Sequence, residues 1–442
     1  MADKSFHQQY SHIYVARLAQ LRDTVLRAIE DREKAASAED ATAAAAVPVL
    51  PKIIDLRDGD ECAIVGTVLK VLHDKPCVFA ALSSDERIVS FTAMHKKLAS
   101  DEDHLVLEDE SGRVELDGAI DVGATATGVI LGLRGRMSAT KKGVFHVEQV
   151  FVPRLAPQFP LPERQASEYV ALVSGLHIGR QNDTMPLRNH VLVDYLAGRI
   201  GNQDEKQFVA RIVRTVFAGN LVDAVATTSD HKYGALAKKS TEQLTLEALP
   251  MRNTDELLST LAATMCVDVM PGETDPSNHT LPQQSFHSCL FPRSARFASF
   301  RAVTNPYEAQ IGGVQFLGHS GQPVESLLQS TLTTKPEGSD DSKDADASDA
   351  LDCMARCLEW RHIAPTAPDL LACFPLAKDD PFVLETSPHV FFAGNQKAFQ
   401  TKMFTDSTGR STRLITVPSF AETGTIVLVD LKDLSCFPIT LA

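Results

Sequence analysis

Three rhythms of apolar residues follow one another along the chain. Over residues 5–35, Tyr14, Leu18, Leu21, Val25, Leu26 and Ile29 recur at steps of three and four, the single stripe of an amphipathic helix. The stripe gives way to DREKAASAEDATAAAAVP, an Ala-rich acidic stretch closed by Pro48 and followed by Pro51, which reads as a linker. From Ile53 to about residue 153 the period becomes two. ECAIVGTVLKVL is a strand. HLVLEDESGRVELDG is a hairpin that sets Leu105 and Leu107 opposite Val114 and Leu116 across a turn at residues 110–113. ATATGVILGLRGRM and VFHVEQVFVP make a second hairpin across SATKKG.

Five or so strands in about a hundred residues, with one irregular insertion at 83–104, predict a small closed barrel of the OB type. A Pro-rich bridge, RLAPQFPLPERQAS, leads out of it. Beyond the bridge strands and helical patterns alternate, as a layered α/β domain requires. EYVALVSGL, ARIVRTVFAGNLVD, VDVMPGETD, VQFLGHSG and HVFFAGN read as strands. NHVLVDYLAGRI, TDELLSTLAATM, PVESLLQSTL and ALDCMARCLEWRH read as helices, and RSTRLITVPSF with GTIVLVDLKDLSCFPIT as a final β pair. The expected division is residues 1–48 for the helix and linker, 49–155 for the barrel and 156–442 for the α/β domain. Within the last, KPEGSDDSKDADASD is acidic and has no side chain able to build a core, so residues 335–350 are expected to be a disordered loop.

The formal charge of -14 changes one expectation. Phosphate binding draws its affinity from Lys and Arg, so DNA contact should be weak or indirect. The barrel does offer Phe79, Phe91, Phe145 and Phe151 as stacking platforms, with Lys96, Lys97, Lys141 and Lys142 beside them, which keeps a single-stranded DNA-binding module as an alternative. Eight cysteines without a CxxC pair suit free thiols, no apolar run is long enough to span a membrane, and the N-terminal residues have no secretory pattern.

The candidate chemistry lies at the ends of the strands, where α/β sheets place their sites. A two-metal phosphoesterase carries Asp-x-His at the first tip; here Gly175 stands for the aspartate and only His177 remains. At the second tip, Gly-Asp has become Gly219-Asn220, and a neutral amide cannot bridge two divalent cations as a carboxylate does. At the third, Gly-Asn-His-Asp has become Gly272-Glu273-Thr274-Asp275. At the last, Gly-His-x-His has become Gly394-Asn395-Gln396-Lys397, with a cation where a metal would sit. His319 is followed by Ser320-Gly321, so the expected His-Gly is at best displaced. The reading is a phosphoesterase-like scaffold without catalytic residues, metal or cofactor. Gly175, His177, Asn220, Glu273, Thr274, Asp275, Asn395 and Lys397 are its vestigial positions, and the isolated histidines are packed side chains. The opposing alternative is an active metallophosphoesterase built from His177, Asp223, Glu273, Asp275 and His319.

The order of helix, OB-type barrel and degenerate calcineurin-like phosphoesterase α/β sandwich resembles the B-subunit family of replicative DNA polymerases. The resemblance covers nearly the whole length, including HLVLEDESGRVEL, VFHVEQVFVPRLAPQ, FAGNLV, HIAPTAPD and VFFAGNQ. PGETDPSNHTLPQQ and TNPY favour the delta branch over the alpha and epsilon relatives. It implies a non-catalytic nuclear subunit for DNA replication and repair synthesis. Such a subunit holds the catalytic subunit through that subunit's cysteine-rich C-terminal domain, binds a third accessory subunit, and so works indirectly with the sliding clamp.

Overall fold

The computed structural model describes residues 9–39, 47–75, 97–138, 140–180, 185–223, 241–332, 343–406 and 408–441. They form two compact units. The first takes Met1–Pro157, Pro323–Asp341 and Asp352–Ser387, and the second Gln158–Gln322, Ser342–Leu351 and Pro388–Ala442. The first of these segments ends at Pro157. Residues 323–332 and 352–387, expected in the second domain, instead cluster with the barrel, the later stretch held there by polar pairing with the N-terminal helix.

In the first unit, helix α1 (Ser11–Glu39) precedes β1 (Glu61–Val71), β2 (His104–Glu108), β3 (Arg113–Gly118), β4 (Ile130–Met137) and β5 (Val144–Phe151). The strands close a barrel in the order β1-β2-β3-β5-β4. Leu105 pairs with Leu116 and Leu107 with Val114, the expected register. The helix lays Leu18, Leu21, Val25 and Ile29 on Ala63, Val65, Ile130 and Phe151. Gly132 permits the close approach, since a Cβ there would stand 2.7 Å from Val25 Cγ1. The helix continues through residues 31–39, against the linker expectation, because Ala, Glu and Lys are strong helix formers; residues 40–46 lie outside the described residues. Phe145 and Phe151 are buried and are core rather than stacking platforms, while Phe79, Phe91 and Lys96 lie outside the described residues.

One buried charge cluster organises this unit. Arg17, fully buried on α1, donates from Nε to Asp380 at 2.6 Å and from its other nitrogens to the carbonyls of Gly128, Pro365 and Ala367 at 2.8–2.9 Å. His362 shares Asp380 through Nε2 at 2.9 Å, and its Nδ1 accepts from Ala364 N–H at 3.2 Å. Every nitrogen of the guanidinium fork therefore faces an oxygen, the condition under which a buried ion pair is tolerated.

The second unit is built from two packed sheets. It contains β6 (Tyr169–Val173), α2 (Met185–Leu196), α3 (Gln203–Val209), β7 (Ile212–Ala218), α4 (Thr241–Ala262), β8 (Cys266–Met270), β9 (Phe300–Ala302), β10 (Tyr307–Ile311) and β11 (Val314–His319). Helices α5 (Gln322–Ser330) and α6 (Lys343–Glu359) follow in the chain. Then come β12 (Val390–Gln396), β13 (Gln400–Thr405), β14 (Ser411–Pro418), α7 (Phe420–Thr423), β15 (Thr425–Asp430) and β16 (Cys436–Thr440). One sheet runs β16-β15-β6-β7-β8-β9 and the other β10-β11-β12-β14-β13. Alternation along β6 decides the layers. Val170 and Leu172 face Phe316, Phe392, Ile415 and Val417 of the second sheet. Tyr169, Ala171 and Val173 face Leu192, Leu196, Leu258 and Leu261 of helices α2 and α4. A strand buried on both faces is thus apolar throughout, as VALV showed.

Two expectations fail here. Residues 343–350 of the acidic stretch are the start of α6 rather than a disordered loop, and 335–342 lie outside the described residues. The final β pair is not a pair: β14 lies between β12 and β13, whereas β15 joins β6 and β16 in the other sheet. The short turn of α7, with Gly424 at φ 65°, carries the chain from one sheet to the other.

Candidate functional site

Strands β6, β7 and β8 run parallel in one sheet and β11, β12 and β14 in the other. Their carboxyl ends meet at one side of the second unit, so the predicted strand-tip residues come together. The meeting is recorded in hydrogen bonds. Gly175 N–H donates to Gly219 O at 3.0 Å, and His177 N–H to Asn220 O at 3.1 Å. Thr274 N–H reaches Asn220 Oδ1 at 3.3 Å, and Asn395 N–H reaches Ser174 Oγ at 2.9 Å.

Asn395 is the residue that ties the two sheets. Its Nδ2 donates to Ser320 O at 2.7 Å and to Ala218 O at 3.3 Å. Gly175 explains why no larger side chain replaces it: a Cβ would stand 2.7 Å from both Asn395 Oδ1 and Ser419 Oγ, on a backbone at φ 62°. Ser419 itself donates to Gly175 O at 3.3 Å. The space beside Gly175 is therefore occupied by an amide and a hydroxyl. His177, Asn220 and Asn395 all sit at positive φ, 47°, 55° and 55°, which makes the tips half of the non-glycine residues so placed among the described residues. Asn and His are the types that tolerate this region best.

The charged groups at the tips are paired locally. His177 Nδ1 lies 2.6 Å from Asp223 Oδ1, and Arg180 Nε lies 3.6 Å from Asp223 Oδ2. Burial alone would raise the Asp223 carboxyl, but the His177 hydrogen bond and charge, with Arg180, hold it below the usual carboxylate range. Asp275 is buried and takes Leu221 and Val222 N–H on one oxygen and Gly272 N–H on the other, at 2.8–3.0 Å. Its burial still outweighs those donors and pushes the carboxyl up to about 6. All three partners are backbone, so Asp275 braces the turns after β7 and β8. His319 is buried against the edge of Phe391, its Nδ1 accepting from Gly321 N–H at 3.1 Å, and burial pushes its pKa down to about 3. Glu273, Thr274 and Lys397 are exposed at the rim. Among the described residues, no three His, Cys, Asp or Glu side chains are grouped so as to hold a metal ion.

Sequence reading missed Ser174, Ser320 and Ser419. Each is a small hydroxyl residue at a strand end, a signal too common to single them out before their neighbours were known.

Two family models match the chain: the B-subunit family of DNA polymerases alpha and epsilon over residues 170–401, and the DNA polymerase delta subunit OB-fold domain over residues 9–150. A DNA polymerase delta small subunit of Oryza sativa is 37% identical over 97% of this chain and 92% of its own length. That of Arabidopsis thaliana is 39% identical over 98% and 91%. The chain belongs to the DNA polymerase delta small-subunit family. The OB-fold match spans α1 and the closed barrel, and the alpha/epsilon match spans the strand tips from β6 to β12, so the family assignment rests on both units. A solved structure, the NAD nucleotidase of Haemophilus influenzae, aligns with 62% of this chain and 49% of its own at 8% identity and a TM-score of 0.24, too slight a likeness to bear on the fold.

Proposed function

We propose that this chain is a non-catalytic accessory subunit of a delta-type replicative DNA polymerase, working in the nucleus in replication and repair synthesis. In this reading its second unit is a calcineurin-like phosphoesterase sandwich whose site at Gly175, His177, Asn220, Glu273, Thr274, Asp275, Asn395 and Lys397 has lost its chemistry. The protein holds the catalytic subunit through that subunit's cysteine-rich C-terminal domain, binds a third subunit on another face, and serves the sliding clamp through them. Full-length similarity to polymerase delta small subunits supports the assembly role. The non-catalytic part rests on one observation, the Asn395 amide and Ser419 hydroxyl filling the space beyond Gly175. A two-metal mechanism needs anionic ligands there, and neutral groups tied to carbonyls supply none.

The test is co-expression of the full chain with a delta-type catalytic chain, followed by purification and assay. A stoichiometric complex, with no Mn-dependent phosphodiester hydrolysis by the free chain, is expected. Failure to co-purify overturns the assembly role. Hydrolysis abolished by Asp275→Ala overturns the non-catalytic one. The single-strand-binding alternative finds little support on the barrel. Arg134 and Arg136 are each 2.6 Å from a carboxylate (Glu61 and Glu148), and Lys141 is 3.8 Å from Asp117, so these cations already have partners.

A further inference from the structure

One surface feature of the first unit takes no part in the strand tips. A cleft of about 560 Å³ opens beside the start of β1, lined by Pro48, Leu50, Pro51, Asp55, Arg57, Asp60, Glu61 and Cys62. The cleft exists because β2 pairs with β1 only from Thr67 onward, and residues 48–50 fill the vacant edge with a single bridge, Val49 to Ala63. Leu50 N–H donates to Ala63 O at 2.8 Å and Ala63 N–H to Pro48 O at 2.9 Å. Pro48 and Pro51 have no N–H of their own, which blunts this edge against strand addition. An occupant is therefore recognised by its side chains.

Beside the cleft stands Ile54, 71% exposed. It is held outward on a short turn pinned by the β2–β3 hairpin: Ile53 N–H donates to Asp109 Oδ2 at 2.7 Å and Ile54 N–H to Ser111 Oγ at 3.1 Å. A rigidly presented aliphatic side chain costs little further order on binding, which is the property of an interface anchor. Val49, 38% exposed, extends the apolar surface.

Charge selects the occupant. Asp55 and Asp60 line the cleft, both exposed, and Glu61 beside them holds Arg134 at 2.6 Å; Arg57 is the one cation among the lining residues, while Arg22 donates to Pro51 O and Lys52 pairs with Glu110 at 3.7 Å. An acidic cleft repels nucleic-acid phosphate. It also disfavours a second copy of a chain whose charge is -14. We propose that this cleft and Ile54 dock an extended segment of a partner protein in which aliphatic residues alternate with Lys or Arg. The aliphatic stems lie on Pro48, Leu50, Pro51 and Ile54, and a cationic head meets Asp55 and Asp60.

The test uses the full chain and a synthetic acetylated peptide, Leu-Lys-Leu-Arg-Leu-Lys, with Leu-Glu-Leu-Glu-Leu-Glu as control, in low-salt calorimetry. Saturable binding of the basic peptide alone is expected, weakened roughly tenfold or more by the Asp55→Asn, Asp60→Asn double variant and by Ile54→Ser. All three side chains are exposed, so an unchanged melting temperature confirms that the variants fold. Equal binding of both peptides, binding insensitive to the substitutions, or a dimer in sedimentation that Ile54→Ser dissolves would each overturn the proposal. None of these outcomes touches the reading of the strand tips, which lie in the other unit.

Discussion

The Arg17 cluster of the first unit and the strand tips of the second face the same problem, polar groups held out of water. They answer it oppositely. Around Arg17 a full charge is kept and every nitrogen of the guanidinium is given an oxygen. At the strand tips, beside the buried Asp275 and the His177–Asp223 pair, neutral amides and hydroxyls bridge the sheets. A charge survives burial where its partners saturate it; where they do not, neutral hydrogen bonding is the cheaper solution.

Arg17→Ala attacks this contrast most directly. It strands Asp380 and three carbonyls, and should lower stability by about 3–5 kcal/mol, measured by urea unfolding. Arg17→Met paired with Asp380→Asn should recover part of that loss; equal losses in the single and paired variants would show that packing rather than charge dominates.

Placing an aspartate at this position, Gly175→Asp, should come next. The Cβ collides with Asn395 Oδ1 and Ser419 Oγ on a backbone at φ 62°, so a loss of about 1–3 kcal/mol is expected, with no Mn-dependent rise in melting temperature. A metal-dependent stabilisation would mean that the tips can still reassemble a site. Asn395→Ala removes the donor to Ser320 O and Ala218 O and should cost about 1–3 kcal/mol, with faster amide exchange at the ends of β6 and β12. Loss of protection confined to β13 would contradict the bridging role.

The remaining response is to pH. Burial, then the Arg17 charge, pushes His362 down to about 4, while the unfolded imidazole titrates near 6.5. Between those values the unfolded chain binds a proton that the folded chain does not, so stability is complete above about 6.5 and falls as pH drops toward 4. Below that, Asp380 continues the trend: burial would raise it, but His362 and Arg17 hold it well under the usual carboxylate range. His362→Gln should flatten the upper part of the profile in urea unfolding at stepped pH. An unchanged slope would assign the acid loss to other groups.

Much of the fold was legible because burial leaves a period. The register of Leu105 and Leu107 against Val114 and Leu116 follows from alternation across a tight turn, and the double-sided burial of β6 from its unbroken apolar run. That positions 175 and 220 carry glycine and asparagine, not carboxylates, needs only residue identity. Long-range partnership was not. Nothing in the run of residues around Arg17 points to Asp380, 363 positions away, and so the return of residues 352–387 to the first unit went unseen. Nor could alternation tell that β14 and β15 part company into different sheets.

Residue order alone was enough for the periodicities, hence for the helix, the barrel and the layered second unit, and for the residue types at the strand tips. What those residues touch emerged only from packing. Periodicity records which face of an element meets the core, a property of neighbours in the chain. Whether Asn395 and Ser419 fill the space beyond Gly175, or Asp380 meets Arg17, depends on how distant segments are brought together, and no local pattern of side chains encodes that distance.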